Sequence, residues 1–372
     1  MKLVNHPKKQ LKKQWIEIIR AEAVAAEKAG RLTTRQLALF YDEQWFKALV
    51  PKIYGGLQWP LTKIVRFEEA IGWADGSAGW VFTLCSGAGW FGGFMEPVFA
   101  TKIFAKKKAC MAGSGAVGGR TSLLSNGQLE INGFWKYATG APQGTVFTAN
   151  CYKGKTKAIK AYCLLPGEVK IHPTWDAFGL VASASESFSV SGVTISPVRG
   201  FDIDPGKPVV EAPVYKFPFL ALAEATIAAG LSGMALHFLE EAALLWKEKG
   251  YLKIKKAGAA PPDQTGGKYD EFYSRQLAKW QKASQGLHQA VDALEKLLTS
   301  TKSKKITKTV AYHKKAAAVS HSAQALAGSC RELVSEVYSH CGLSSTKKSG
   351  ALSRVWRDFQ TGSQHSLFEP VL

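Results

Sequence analysis

Two neighbouring stretches decide how the chain is read: Met111-Ala-Gly-Ser-Gly-Ala-Val-Gly-Gly119 and, just beyond it, Asn126-Gly-Gln-Leu-Glu-Ile-Asn-Gly-Phe-Trp-Lys-Tyr-Ala-Thr-Gly140. Gly113, Gly115 and Gly118 have the G-x-G-x-x-G spacing of a dinucleotide-binding turn. That turn works only between a strand and a helix, because the helix N-terminus has to meet the pyrophosphate. No helix pattern follows here. Ser125-Asn126-Gly127 is a turn signal, Gln128 to Gly133 alternates like a half-buried strand, and Asn132-Gly133 punctuates it again. Nor does an acidic residue stand about twenty positions on to hold a ribose hydroxyl. The stretch therefore reads as a glycine-bordered β-surface carrying Trp135, Tyr137 and Thr139.

Working outward, the period of the apolar residues is 3.6 before this stretch and 2 within it. Leu11, Trp15, Ile18 and Ile19 keep helical spacing up to Gly30. Thr33-x-x-Gln36 has the form of a capping box and predicts a helix running to Leu49, with Pro51 beyond it. Leu61 to Ala74 is amphipathic, and Asp75 or Ser77 caps an unusually apolar helix from Ala78 to Phe94. Between Ala109 and Pro213, short β-branched and aromatic runs separated by Gly, Pro and Asn predict an antiparallel, barrel-like β unit. From Ala221 the chain is helical again, with Gly230 and Gly233 permitting close packing and a loop at 255–267 around Pro261-Pro262. Segments Tyr269–Thr299, Thr307–Cys341 and the stretch from Ser349 complete a four-helix bundle. The expected organisation is an N-terminal helical domain (1–108), a middle β domain (109–213) and a C-terminal bundle (214–372).

Composition narrows the class. With 372 residues, 46% hydrophobic and 21% charged, the chain has enough apolar residues for substantial cores and is unlike a disordered one. No run of eighteen apolar residues is free of charge; Glu224 interrupts the nearest candidate. The six cysteines show neither CxxC pairs nor metal-type clustering, which fits reduced thiols in a cytoplasmic protein and no metal site. A net charge of +19 reads first as solvated lysines on helix ends and loops, and it also suits an anionic cofactor or substrate. The lysine runs lack the interleaved aromatics of a nucleic-acid stacking platform.

The order helices–β unit–helices, with the residues at its junctions, resembles the acyl-CoA dehydrogenase superfamily over nearly the whole chain. The resemblance is carried by Pro51-x-x-Tyr-Gly-Gly56, by Glu68-Glu69-Ala-Ile-Gly-Trp-Ala-Asp-Gly-Ser77, and by Asn132-Gly-Phe-Trp-Lys-Tyr-Ala-Thr-Gly140. Trp175-Asp-Ala-Phe-Gly-Leu-Val-Ala-Ser-Ala-Ser185 and Trp356-Arg357-Asp358 complete it. A dehydrogenase of this family uses a carboxylate base to remove the α-proton of a thioester. The stretch after Arg357-Asp358 offers none before the displaced Glu369. Ala74-Asp-Gly-Ser-Ala-Gly-Trp80, the Trp-x-Tyr-Ala-Thr-Gly form of the hairpin and Arg357-Asp-x(6)-His365 resemble instead the oxygenase halves of two-component flavin-dependent monooxygenases.

That branch implies a flavin, FAD or FMN, delivered reduced by a separate flavin reductase, a small organic substrate and a homo-oligomer, a tetramer or dimer. It implies that Thr139 lies beside the flavin, that Ser114, Trp135, Tyr137 and Ser183 contact it, and that His365 is catalytic. A histidine suits proton transfer because its pKa lies near working pH. The second histidine that the branch often carries after the Asp-x-Ser turn has no counterpart in Val81 to Gly89. Arg357 and Asp358 are expected to form a buried ion pair. Two alternatives stand beside this reading: an acyl-CoA dehydrogenase with a relocated base, and a redox-silent binding protein of the same fold.

Overall fold

The computed structural model describes residues 5–252, 267–301, 303 and 305–369. The loop expected at 255–267 lies, up to residue 266, outside the described residues. The N-terminal helices are α1 (Lys13–Ala29), α2 (Thr34–Asp42), α3 (Leu61–Ala74), α4 (Gly76–Gly89) and α5 (Pro97–Phe104). The capping box forms: the Thr33 hydroxyl accepts from the Gln36 N–H and the Gln36 side chain accepts from the Thr33 N–H. α2 stops at Asp42 instead of reaching Leu49. There Gln44 turns left-handed and a 3-10 turn over Trp45–Lys47 sinks Trp45 and Phe46 into the core. Burying two large rings outweighs a few more residues of helix propensity. α5 is an addition to the sequence reading. Glu96 caps it through the N–H groups of Val98 and Phe99, and Pro97 occupies its first position.

Seven strands follow: β1 (Met111–Leu123), β2 (Leu129–Ala138), β3 (Val146–Lys153), β4 (Ile159–Leu164), β5 (Lys170–His172), β6 (Glu186–Ile195) and β7 (Gly200–Phe201). They make one sheet in the order β5-β6-β2-β1-β3-β4-β7. The sheet is mixed, not antiparallel throughout. After the β1–β2 hairpin the chain returns to the far side of β1, so β3 runs parallel to it.

The glycine-rich run is the body of β1, with register shifts between Gly113 and Gly119. Its glycines, with Gly133 of β2, make room for one ring. A side chain at Gly118, Gly119 or Gly133 would collide with the Trp135 indole. Trp135 is fully buried, stacks on Phe188 at 5.0 Å and donates its indole N–H to the Asn150 carbonyl at 3.0 Å. Asn132-Gly133 therefore lies inside a strand, as a close-approach site and not a turn.

The C-terminal helices are α6 (Phe219–Glu248), α7 (Lys268–Ser300), α8 (Val310–Ser339) and α9 (Ala351–Gly362). By length and composition α6 could cross a membrane, yet 83% of its apolar window is buried inside the fold. Gly72 of α3 meets the backbone of Gly230, and Gly233 meets the α3 backbone at Glu69 and Trp73. Gly233 gives the close packing that the sequence suggested, whereas a Cβ at Gly230 would meet only Thr83 at 3.6 Å, so at that contact the required glycine is Gly72. Glu69 locks it by accepting from the hydroxyls of Ser232 and Ser284, both at 2.6 Å, which ties α3 to α6 and α7.

Candidate functional site

The end of β2 is bent by its own backbone. Tyr137 adopts φ 63° and Gly140 φ 71°, and the register with β6 shifts between Trp135 and Ala138. In a regular strand, residues two apart share a face. Here the bulge separates them: Trp135 is fully buried, while Tyr137 is 68% exposed, with its ring edge-on to Trp175 at 6.2 Å. Thr139 is buried. Its hydroxyl bonds that of Ser185 at 2.8 Å, and Ser185 bonds Ser183 at 2.8 Å, so three buried hydroxyls form a chain. The Gly140 N–H donates to the Ser183 carbonyl and fixes the two segments together.

The segment holding Ser183 is strained. Leu180 and Ala184 both have left-handed backbones (φ 51° and 45°) on either side of a 3-10 turn. Such conformations cost on the order of 1–3 kcal/mol each and persist only where their surroundings over-determine them. Here the Leu180 N–H donates to Asp358 at 2.6 Å, the Trp175 indole N–H donates to the Leu180 carbonyl at 3.0 Å, and Arg357 donates to the Phe178 carbonyl at 2.6 Å. Arg357 and Asp358 thus do not pair with each other, as the sequence suggested. Arg357 pairs with Glu27 of α1 at 2.5 Å, and Asp358 holds the strained turn. Asp358 is buried in α9 with Asp75, the α4 cap. Burial, and then the Asp75 charge, push its carboxyl up to about 8, against the opposing pull of the Leu180 N–H and Arg354. Burial also raises Asp75.

The C-terminal segment carries His365 to the site. Arg331 of α8 donates to the carbonyls of Phe368 and Ser363, and Gln324 donates to the Leu367 carbonyl at 2.7 Å. Gln324 also donates to Glu224 of α6, whose second carboxylate oxygen is buried without a partner. His365 sits 5.9 Å from the Trp80 ring of α4. Its Nδ1 accepts from the Leu367 N–H at 3.3 Å, which leaves the proton on Nε2, and burial lowers its pKa below the ordinary histidine value.

α4 runs between these parts. Leu84, Gly87 and Ala88 are its half-buried residues, and the remainder is buried. On one side of that open arc Thr83 approaches Gly230 of α6. On the other, the Cys85 thiol reaches the Thr139 carbonyl at 3.5 Å. The half-buried arc, with open space beside Gly87, therefore marks a cleft at the junction of the helices and the sheet, with the hydroxyl chain on one flank and His365 at its Trp80 end.

Of the sequence candidates, Tyr137 is exposed and His365 half-buried beside this cleft, while Thr139 and Ser183 are buried in the hydroxyl chain behind its flank. Trp135 lies behind the wall, and the half-buried Ser114 accepts from the Ala116 N–H further along β1. The sequence reading missed the roles of Asp358, Gln324 and Arg331, each of which bonds a backbone group far along the chain that no local pattern marks. Trp80 was legible as the end of the Ala74–Trp80 motif but not as a neighbour of His365, and Cys85 only as a member of an apolar helix.

Residues 270–370 match the family described as "Acyl-CoA dehydrogenase, C-terminal domain". The crystal structure of the HsaA monooxygenase from M. tuberculosis superposes with a TM-score of 0.84 at 19% identity, covering 98% of this chain and 93% of that one. The chain thus has the acyl-CoA dehydrogenase fold. Among curated proteins it resembles an indole-3-acetate monooxygenase from Pseudomonas putida, at 28% identity over 207 residues, 53% of this chain. The chain spans about half (51%) of the length of that relative. The structure of TdsC from Paenibacillus sp. A11-2 with FMN and indole has a TM-score of 0.77 at 18% identity, covering 96% of this chain and 92% of that one. The resemblance to flavin-dependent monooxygenases read from the sequence is therefore carried by relatives in sequence as well as in fold.

Proposed function

We propose that the chain is the oxygenase of a two-component flavin-dependent monooxygenase, acting on a small aromatic molecule with O2 and with FMN or FAD reduced by a separate flavin reductase. The observation that carries this is the buried hydroxyl chain ending at Thr139, on the flank of a cleft that has a neutral His365 at its end. The residues present fit a flat ring system: Tyr137 offers an exposed ring beside the cleft, and Thr139 offers a hydroxyl held from behind by Ser185. Bound reduced flavin supplies the electrons that activate O2. The protein supplies placement, proton control and exclusion of water.

Thr139 and Ser185 share a hydrogen bond in which either oxygen can donate, so Thr139 can accept from the N–H of a reduced cofactor while donating to Ser185, which in turn bonds Ser183. His365, with its proton on Nε2, is placed to give a hydrogen bond to an oxygen of the substrate and to exchange that proton. Arg331 and Gln324 hold its segment, and Asp358 holds the turn that carries Ser183. The assembly is a homotetramer built through the C-terminal helices, and the six free cysteines suit a cytoplasmic setting.

One observation favours the second reading, thioester dehydrogenation by a relocated base: Glu224 buries a carboxylate oxygen without a partner beside the His365 segment. The two readings separate in one experiment. Protein loaded with reduced FMN or FADH2 under anaerobic conditions is mixed with O2 and an aromatic probe such as indole. Hydroxylated product that disappears in His365→Ala, with flavin binding retained, supports the monooxygenase. Bleaching of bound oxidised flavin by an acyl-CoA, lost in Glu224→Gln, supports the alternative, and product formation unchanged in His365→Ala removes that residue from the chemistry.

A further inference from the structure

Two adjacent glutamates of α3 are both buried, and only one is satisfied. Glu69 accepts from Ser232 and Ser284 and lies 3.5 Å from His288. Glu68 is fully buried, and neither of its carboxyl oxygens has a partner. Two hydroxyls of α4 share that condition, since Thr83 and Ser86 are buried without a hydrogen bond. Serine and threonine inside a helix commonly bond the carbonyl a turn earlier, and neither does so here.

Register puts these groups in one seam. Gly79 of α4 faces Gly72 of α3, and Phe82 meets Phe67 at 5.2 Å, so the two helices run past each other in opposite directions. One turn beyond the glycine contact the facing residues are Glu68 and Thr83, with Ser86 the next position along that side of α4. α6 closes the seam with Gly230. A Cβ there would meet only the Thr83 hydroxyl, at 3.6 Å, so the space between them takes a methyl group or a water. Gly87, one turn on from Thr83, borders the open space of the cleft. Among the described residues no charged group faces Glu68. Glu69 turns to Ser284 of α7 and Asp75 to the α4 N-terminus. Glu224 and His237 of α6 bond Gln324 and Glu241, and Cys85 reaches Thr139 on the other side of α4. Burial alone therefore holds Glu68 well above the ordinary carboxylate range, as a neutral acid with a proton to donate.

Resting on the monooxygenase reading, we propose that Glu68, Thr83 and Ser86 enclose a buried water, and that Glu68 supplies a proton to the cleft through that water and the Thr83 hydroxyl. The Glu68 O–H gives its proton to the water, the water passes one to the Thr83 oxygen, and Thr83 releases its own hydroxyl proton on the Gly87 side. Insertion of one oxygen atom into an aromatic C–H consumes O2, two electrons and two protons, and the second oxygen leaves as water. Both electrons and, in net, both protons come from the reduced flavin, so the proton that Glu68 gives up is regained by the same route within the turnover. Glu68 touches neither substrate nor cofactor and acts through Thr83.

Infrared spectroscopy of the purified full-length chain without flavin tests the site, and turnover tests its use. Expected at neutral pH is a protonated-carboxyl band that Glu68→Gln removes while the band of Asp358 remains. On transfer to D2O the Glu68 band shifts promptly in the parent and promptly in Thr83→Ser. In Thr83→Val it shifts about tenfold more slowly, because exchange then waits on local opening. With a flavin reductase, NADH and indole, product per NADH falls about tenfold in Glu68→Gln and in Thr83→Val and recovers in Thr83→Ser, with FMN binding and melting temperature unchanged. Absence of the band, or equal exchange in the parent and Thr83→Val, overturns the site; the exchange result decides even where Glu68→Gln fails to fold. Unchanged product in both blocking variants overturns the supply of protons to the cleft. If the infrared results hold and the parent oxygenates no aromatic probe, the buried proton site stands and the monooxygenase reading falls.

Discussion

At the scale of single residues, the site turns on hydroxyls and on one ring that had to be put out of the way. Trp135 and Tyr137 are two apart on a strand, where regular alternation puts both on one face, and the family resemblance implied that both contact the flavin. The bulge at Tyr137 is invisible to that rule, and it sends Trp135 into the sheet core beneath Gly118, Gly119 and Gly133. The glycines that looked like a phosphate cradle are there because an indole occupies the space their side chains would need. Thr139, by contrast, keeps the place the hairpin gives it before Gly140, buried and linked to Ser185 through its hydroxyl and to Ser183 through the Gly140 N–H. Thr139→Val removes the hydroxyl at nearly constant volume and leaves Ser185 with one partner fewer. The expected outcome is a rise in hydrogen peroxide released per NADH consumed in a reductase-coupled assay, with product formation down about tenfold or more, the scale of loss on removing one positioned hydrogen-bonding group. Thr139→Ser should restore most of the coupling, and equal behaviour of the Val and Ser variants would remove the hydroxyl from the account.

At the scale of elements, the helix pairs are set by glycines whose roles differ although their residue type does not. Replacing glycine by alanine within a helix ordinarily stabilises by about 1 kcal/mol. Gly87 should follow that rule, since nothing stands within 4 Å of an added Cβ. Gly72 should reverse it, because its added Cβ meets the Gly230 backbone and forces α3 and α6 apart. Overpacking of this kind costs about 1–3 kcal/mol. Denaturant unfolding of the two single variants is expected to give shifts of opposite sign. Equal shifts would mean that the close approach does not hold the helices.

The junction of α4, α9 and the strained turn adds a pH dependence. Asp75 and Asp358 keep protons in the fold that the unfolded chain gives up in the ordinary carboxylate range. Their raised pKa values make this contribution to stability fully present below that range, and it is lost as pH rises above it, for Asp358 toward about 8. Asp358→Asn keeps an oxygen to accept from the Leu180 N–H and removes the charge. Its stability should therefore fall less than that of the parent between about pH 4 and 8, and an unchanged slope would show that Asp358 is not the titrating group.

At the scale of the molecule, much of the plan was readable in order: helices, then strands, then long helices, with Gly233 marking close packing of α6 on α3. Long segments keep their period whatever packs on them, which is why their identity survived. What the chain did not disclose depends on distant contacts. β3 lies parallel to β1 because of a return path that no hairpin signal encodes, and α2 ends early because Trp45 and Phe46 are drawn into the core. The cleft itself is of this kind, since Thr139, the α4 arc and His365 are brought together by Asp358, Gln324 and Arg331 acting across the chain.

The claim that this cleft inserts oxygen into an aromatic substrate is tested most directly by isotope. The full-length protein, supplied with FMN, a flavin reductase, NADH and indole under isotopically heavy O2, should give an indole product carrying one heavy oxygen atom, and His365→Ala should give peroxide with little product. A product whose oxygen comes from water, or flavin reduced by an acyl-CoA with no oxygen transferred to any aromatic probe, would contradict it.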